Sequence, residues 1–173
     1  SESDAVIHCL VRADDTVSAM ERVRTNLAAY GLEIADLESR VVPVIGDLAK
    51  PLLGLAPDIF AQLAETVDGI YHAAAIVDFL RPYSVLSAAN VGGTQEILRL
   101  AATGRPKRLQ YVSSIAVLAA THHSGLISED VVPETPGDIP DGYSESKWVA
   151  EMLVREAMRR GLKANIFRLG VIS

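Results

Sequence analysis

"RLQYVSSI", residues 108–115, is an apolar run of strand length set between two longer helical patterns, and its reading decides the fold. Upstream, "PYSVLSAANVGGTQEILRLAAT" (82–103) has helical periodicity, with Gly92 and Gly93 placed where another backbone or helix can approach closely. Downstream, "DGYSESKWVAEM" (141–152) reads as the start of an amphipathic helix that Trp148, Met152 and Leu153 pack down, ahead of another strand-length run, "KANIFRL" (163–169). The alternation continues toward the N-terminus. "AVIHCLV" (5–11) precedes a helix with Val17, Met20, Val23, Leu27 and Tyr30 at helical spacing and Gly31 suited to its C-cap. "RVVPVIGD" (40–47) precedes "PDIFAQLAETV", and "GIYHAAA" (69–75) follows. Strands alternating with helices imply a parallel sheet covered on both faces, the doubly wound α/β class.

With 173 residues, 49% of them hydrophobic, the chain can bury a sizeable core and reads as one domain without internal repeats. The 16 lysines and arginines are scattered under a net charge of −6, which argues against a nucleic-acid surface. Cys9 is the only cysteine, so no disulfide can form within these residues, and a reducing, cytoplasmic setting is expected. The apolar runs fall well short of the roughly 20 residues a spanning helix needs. The stretch "THHSGLISEDVVPETPGDIPDG" (121–142) reads as one long loop, of a length usually functional or mobile. His122 and His123 are adjacent there without metal-ligand spacing, so they are read as solvated and no metal is expected.

Ligands of this class sit beyond the carboxyl ends of the strands. The first strand ends at Arg12, where a guanidinium suits a 2′-phosphate and favours NADP over NAD; the alternative is a solvated surface arginine. The second ends at Asp47 and Leu48, a place for adenine or a plain Gly-Asp turn. Ala73, Ala74 and Ala75 end the third and would let a flat cofactor lie against the backbone, while His72 reads as a satisfied buried histidine. Ser113 and Ser114 end the fourth, where a hydroxyl can donate to a carbonyl. Tyr143 and Lys147, at i and i+4, share one helix face. A lysine ammonium beside a phenol favours the phenolate and makes the phenol a usable general acid.

The elements "GDL", "YHAAA", "NVGGT", "YVSSIAV", "YSESK" and "FRLGVIS", in this order, resemble the extended branch of the short-chain dehydrogenase/reductase superfamily. Within it, "HCLVRA", "VVPVIGDLAKPLLGL" and "YSESKWVAEMLVREA" look most like thioester reductase domains of nonribosomal peptide and polyketide assembly lines or of carboxylic acid reductases. The resemblance implies NADPH-dependent reduction of an acyl or peptidyl thioester on a carrier protein's phosphopantetheine arm, releasing an aldehyde that can go on to the alcohol. It also implies Ser114, Tyr143 and Lys147 as catalytic residues, and Arg12 and Arg22 at the 2′-phosphate. Asp47 and Leu48 would lie at adenine, Ala73 to Ala75 along the cofactor, Lys147 at the nicotinamide ribose, and Leu169, Gly170, Val171 and Ile172 past the nicotinamide. Asn90 would bridge neighbouring strands. The family opens with a strand and a glycine-rich turn, which do not precede "AVIHCLV", and it continues past "FRLGVIS" into a substrate-binding region. The 173 residues are therefore expected to be part of a longer reductase and inactive by themselves. A fatty acyl-coenzyme A reductase, a nucleotide-sugar epimerase or dehydratase, and a non-catalytic dinucleotide sensor or scaffold are the alternatives.

Overall fold

The structure, a computed structural model, describes residues 4–32, 34, 36–118, 125–132 and 139–170. His122, His123, Val171 and Ile172 lie outside the described residues. Two compact units divide the chain, Ser1–Asp47 and Leu48–Ser173.

The first unit holds β1 (Ile7–Val11), α1 (Thr16–Ala29), α2 (Leu37–Arg40) and β2 (Val41–Ile45). β1 and β2 pair in parallel, from Ile7 opposite Val41 to Val11 opposite Ile45. Pro43 has no N–H to give a ladder, and β2 tolerates it because among the described residues it pairs on one side only. A capping box starts α1: the Asp15 carboxylate accepts from Ser18 N at 2.7 Å, and the Ser18 hydroxyl accepts from Asp15 N at 3.3 Å. Gly31, at φ +65°, ends it as the sequence suggests, with Gly31 N donating to Ala28 O and Leu32 N to Leu27 O. The short α2 carries no sequence periodicity by which it could be read.

The second unit opens with a tight turn at Pro51–Gly54 and continues through α3 (Pro57–Thr66), β3 (Gly69–His72) and α4 (Tyr83–Ser87). A π turn at Ala88–Gly92 joins α4 to α5 (Gly93–Ala102), so the helical reading of 82–103 holds with one wide turn inside it. β4 (Arg108–Ser114), a 3-10 turn at Ile115–Leu118, α6 (Gly142–Arg159) and β5 (Ala164–Leu169) complete the unit. The sheet order is β3-β4-β5, all parallel. Leu86, Leu109 and Val154 are fully buried in its core, each contributing about 1.5–3 kcal/mol of burial free energy. Of the two glycines expected at a close approach, Gly93 fulfils the role: a Cβ there would lie 2.3 Å from Leu48 Cγ. Gly92 does not, because the nearest atom to its Cβ position is 3.8 Å away.

A buried cation closes one end of this unit. Lys107 is 2% exposed, and its Nζ donates to the carbonyls of Ala64, Thr103 and Arg105 at 2.6, 2.8 and 2.7 Å. Three carbonyls near the ends of α3 and α5 thus share one ammonium, satisfying acceptors that helix ends leave without partners.

Among the described residues, each unit has a parallel sheet, of two strands in the first and three in the second, with helices between the strands, the pattern of the doubly wound α/β class. Among the described residues β1 pairs only with β2, and β3 only with β4. No helix of the described residues is long and apolar enough to cross a membrane.

Candidate active site

The site in the second unit is built where α6 packs on β4. Asp141 caps α6, accepting from Ser144 N at 2.8 Å, and fixes where its first turn begins. Counting from there, Tyr143, Lys147, Ala150, Glu151 and Val154 form the buried stripe. This corrects the packing expected from sequence: Trp148, Met152 and Leu153 are only half-buried and flank the face that carries the chemistry. Tyr143 and Lys147 lie on the core side because a helical stripe at i, i+4 and i+8 cannot face both the sheet and solvent.

Lys147 is 4% exposed, its Nζ donates to Val112 O on β4 at 2.8 Å, and it stands 4.6 Å above the centre of the Tyr111 ring. Burial brings its ammonium down to about 8, with the Glu151 carboxylate opposing that fall. Two residues beyond Val112, Ser114 ends the same strand. Its Oγ accepts from Ala116 N at 3.1 Å, which leaves its own proton to donate. Ser113, one residue earlier, points to the other side and donates to Glu151 Oε2 at 2.6 Å. The strand's two-residue period therefore separates the paired serines: Ser113 is committed to a buried carboxylate, and Ser114 stays half-buried at the strand end.

Tyr143 is 7% exposed and meets Phe79 edge to face, ring centres 4.9 Å apart. The segment carrying Phe79 is tied down by Asn90, whose Oδ1 accepts from Ile76 N at 2.7 Å. Asn90 Nδ2 donates to Ile76 O at 3.0 Å and to Ser146 Oγ at 2.9 Å. Asn90 thus joins the exit of β3 to α6, not two strands, because its place in the π turn puts it beside the chain leaving β3. His72 behaves as the sequence suggests. Its Nε2 lies 3.0 Å from Thr94 Oγ1, whose proton goes to Asn90 O, so the imidazole donates. Burial first, and then the charge of Lys147, bring it down to about 4, leaving it neutral near pH 7.

The other expected residues lie at strand ends as well. Ala73 and Ala74 are exposed and Ala75 half-buried just past β3, while Leu169 and Gly170 are exposed at the end of β5. The Leu48 side chain lies against Gly93. In the first unit, Arg12 is exposed just past β1 and Arg22 is exposed on α1, with Arg22 NH1 donating to the Arg12 backbone carbonyl at 2.8 Å. Asp47 is half-buried after β2. Phe79, Thr94, Tyr111 and Glu151 are site residues that sequence reasoning missed; only Glu151 carries a signal, as a charged residue continuing the 143–147 stripe.

A doubly wound parallel fold with serine at the end of β4 and Tyr-x-x-x-Lys on the core face of the next helix defines a domain of the extended short-chain dehydrogenase/reductase class. A family model described as "Male sterility protein" matches residues 1–173, and the chain belongs to that family. It is 44% identical over 170 residues to a linear gramicidin synthase of Brevibacillus parabrevis, covering 97% of this chain and 3% of that protein. It is 37% identical over 176 residues to the L-2-aminoadipate reductase large subunit of Candida glabrata, covering 94% and 13%. The solved terminal R domain of the myxalamid PKS-NRPS pathway matches with a TM-score of 0.94 and 50% identity, over 98% of this chain and 43% of that one. The resemblance read from the six ordered sequence elements is thus borne out, and the chain spans less than half the length of each of these proteins.

Proposed function

We propose that the chain is part of an NADPH-dependent reductase that releases a carrier-bound acyl or peptidyl thioester as an aldehyde. The observation that carries this reading is Lys147, buried on the same face of α6 as Tyr143 and bonded to β4 two residues before Ser114. The similarity to solved R domains supports it, as does a solved thiolation-reductase di-domain of an archaeal non-ribosomal peptide synthetase, 26% identical with a TM-score of 0.81.

Each unit by itself carries residue types that suit part of a phosphorylated dinucleotide. In the first, Arg12 and Arg22 offer guanidinium groups of the kind that suits a 2′-phosphate, and Asp47 a carboxylate able to accept from an adenine amino group. The methyl-sized side chains of Ala73 and Ala74 leave the backbone after β3 open to a flat ring system. When bound, NADPH supplies the hydride. Ser114 donates a hydrogen bond to the thioester carbonyl oxygen, and Tyr143 gives that oxygen its proton as the carbon is reduced, so charge never builds up there unmet. Lys147 beside it provides the positive field and a donor for the ribose. The product is a hemithioacetal; breaking its C–S bond returns the thiol to the carrier arm and frees the aldehyde. Free coenzyme A thioesters would follow the same chemistry.

In the parent chain, an acyl-phosphopantetheine thioester on a carrier protein is expected to drive NADPH oxidation with aldehyde formed in equal amount. NADPH consumption without aldehyde or alcohol, or binding without turnover, would reject the reading in favour of a sensor. Arg12→Ala is expected to weaken NADPH binding about tenfold or more, the loss of one charge-assisted contact, with NADH binding little changed. Equal losses for the two would remove Arg12 from the 2′-phosphate.

A further inference from the structure

Beneath the Tyr-Lys pair lies a buried charge that the reaction as described does not use. Glu151 has no exposed surface. Its Oε2 accepts from Ser113 Oγ at 2.6 Å, and its Oε1 from Arg155 Nε at 2.9 Å and Arg168 NH2 at 2.7 Å. Arg168, 11% exposed in its side chain, also reaches Val131 O with NH1 at 2.8 Å. One carboxylate therefore ties together α6, β4, β5 and the segment before the helix. Burial alone would raise its carboxyl, but the hydrogen bonds from Arg168, Ser113 and Arg155 overcome this and keep it below its ordinary value. A buried ion pair of this kind seldom adds to stability, since desolvation offsets the attraction. Its place one helical turn after Lys147 gives it another use.

We propose that Glu151 is a positioning residue for the reduction: locked by Ser113, Arg155 and Arg168 on the buried stripe one helical turn after Lys147, its carboxylate favours the charged form of the Lys147 ammonium that Val112 O holds. The other described groups facing Lys147 do not provide a counter-charge. On β3, His72 is neutral; on β4, Tyr111 presents its ring, and burial and then the Glu151 charge push its phenol above the ordinary range. On α6, Tyr143 is a phenol and Arg155 is cationic, as is Arg168 on β5. Glu151 is the one anion among these described groups, and its charge opposes the fall that burial imposes on Lys147.

The inference rests on the proposed reductase function, and its test separates the two. In the full reductase chain, the Lys147 side chain is titrated by NMR with carbon-13 lysine, assigned through Lys147→Arg, and kcat is followed against pH with an acyl-phosphopantetheine thioester and NADPH. Glu151→Gln is expected to move both the Lys147 midpoint and the alkaline limb of kcat to lower pH, and to lower kcat near pH 8 about tenfold with KM unchanged. Arg168→Gln, which removes a competing cation, is expected to move the midpoint to higher pH, and Glu151→Asp to restore it toward wild type. A purely structural role would leave the midpoint where it is or shift it the same way in Glu151→Gln and Arg168→Gln; either result overturns the proposal. Should Glu151→Gln fail to fold, the upward shift in Arg168→Gln decides alone. A wild-type chain whose Lys147 titrates as described but which reduces no thioester would reject the function and leave the role of Glu151 in setting the lysine's charge standing.

Discussion

Tyr143→Phe in the full reductase is expected to cut thioester turnover by about 10²–10⁴-fold, the range for loss of a positioned general acid, with NADPH affinity unchanged. Phenylalanine keeps the buried ring and its edge contact with Phe79, so the change is confined to the hydroxyl. The bond from Lys147 to Val112 O does not involve the tyrosine hydroxyl and remains. The same assay has a pH signature in the wild type. Lys147 is depressed to about 8, so it is an ammonium below that pH and neutral above it. Turnover is expected to fall as pH rises through about 8, as the field and ribose donor are lost. Stopped-flow NADPH oxidation against pH measures both. A Tyr143→Phe variant that still turns over at more than a tenth of the wild-type rate would sink the catalytic assignment.

The strand-helix alternation was legible because each strand is a short run rich in branched and aromatic residues, set off from helices whose apolar positions recur at a different period. The ends of those strands follow directly, and with them Ser114, Arg12 and the alanines after β3. Tyr143 and Lys147 were legible as candidates from their spacing together with the ordered elements around them, since the spacing alone is common by chance. The burial of their face was not, because Trp148 and Met152 gave α6 an apolar side that competes with the polar stripe at 143, 147 and 151. Only packing on β4 decides between them, and it chooses the stripe whose polar atoms find partners: Val112 O for Lys147, Ser113 and Arg168 for Glu151. Phe79 left no trace at all, since its contact with Tyr143 depends on how Asn90 folds back the chain after β3. Tertiary hydrogen bonds of this kind carry no periodicity to read.

Gly142→Ala is the second large effect expected, and it follows from that same fold-back. On helix propensity alone alanine should help, by about 1 kcal/mol. Here an added Cβ would stand 2.3 Å from Tyr83 N, 2.5 Å from Pro82 C and 2.6 Å from Arg81 O. All three are backbone atoms, so no side chain can swing aside. Either the first turn of α6 or the segment at 81–83 has to move, and overpacking of this kind costs about 1–3 kcal/mol, outweighing the propensity gain. The move falls next to Tyr143 on one side and carries Phe79 on the other. A displacement of about 1 Å in the proton donor is worth on the order of 10²-fold in rate, so kcat is expected to fall far more than thermal stability would suggest. Melting temperature and kcat measured together on the full chain distinguish the cases. A lower melting temperature with unchanged kcat would mean that the contact is structural only. A variant unchanged in both would mean that α6 and the segment at 81–83 can part without cost, and that the fold-back does not position the tyrosine.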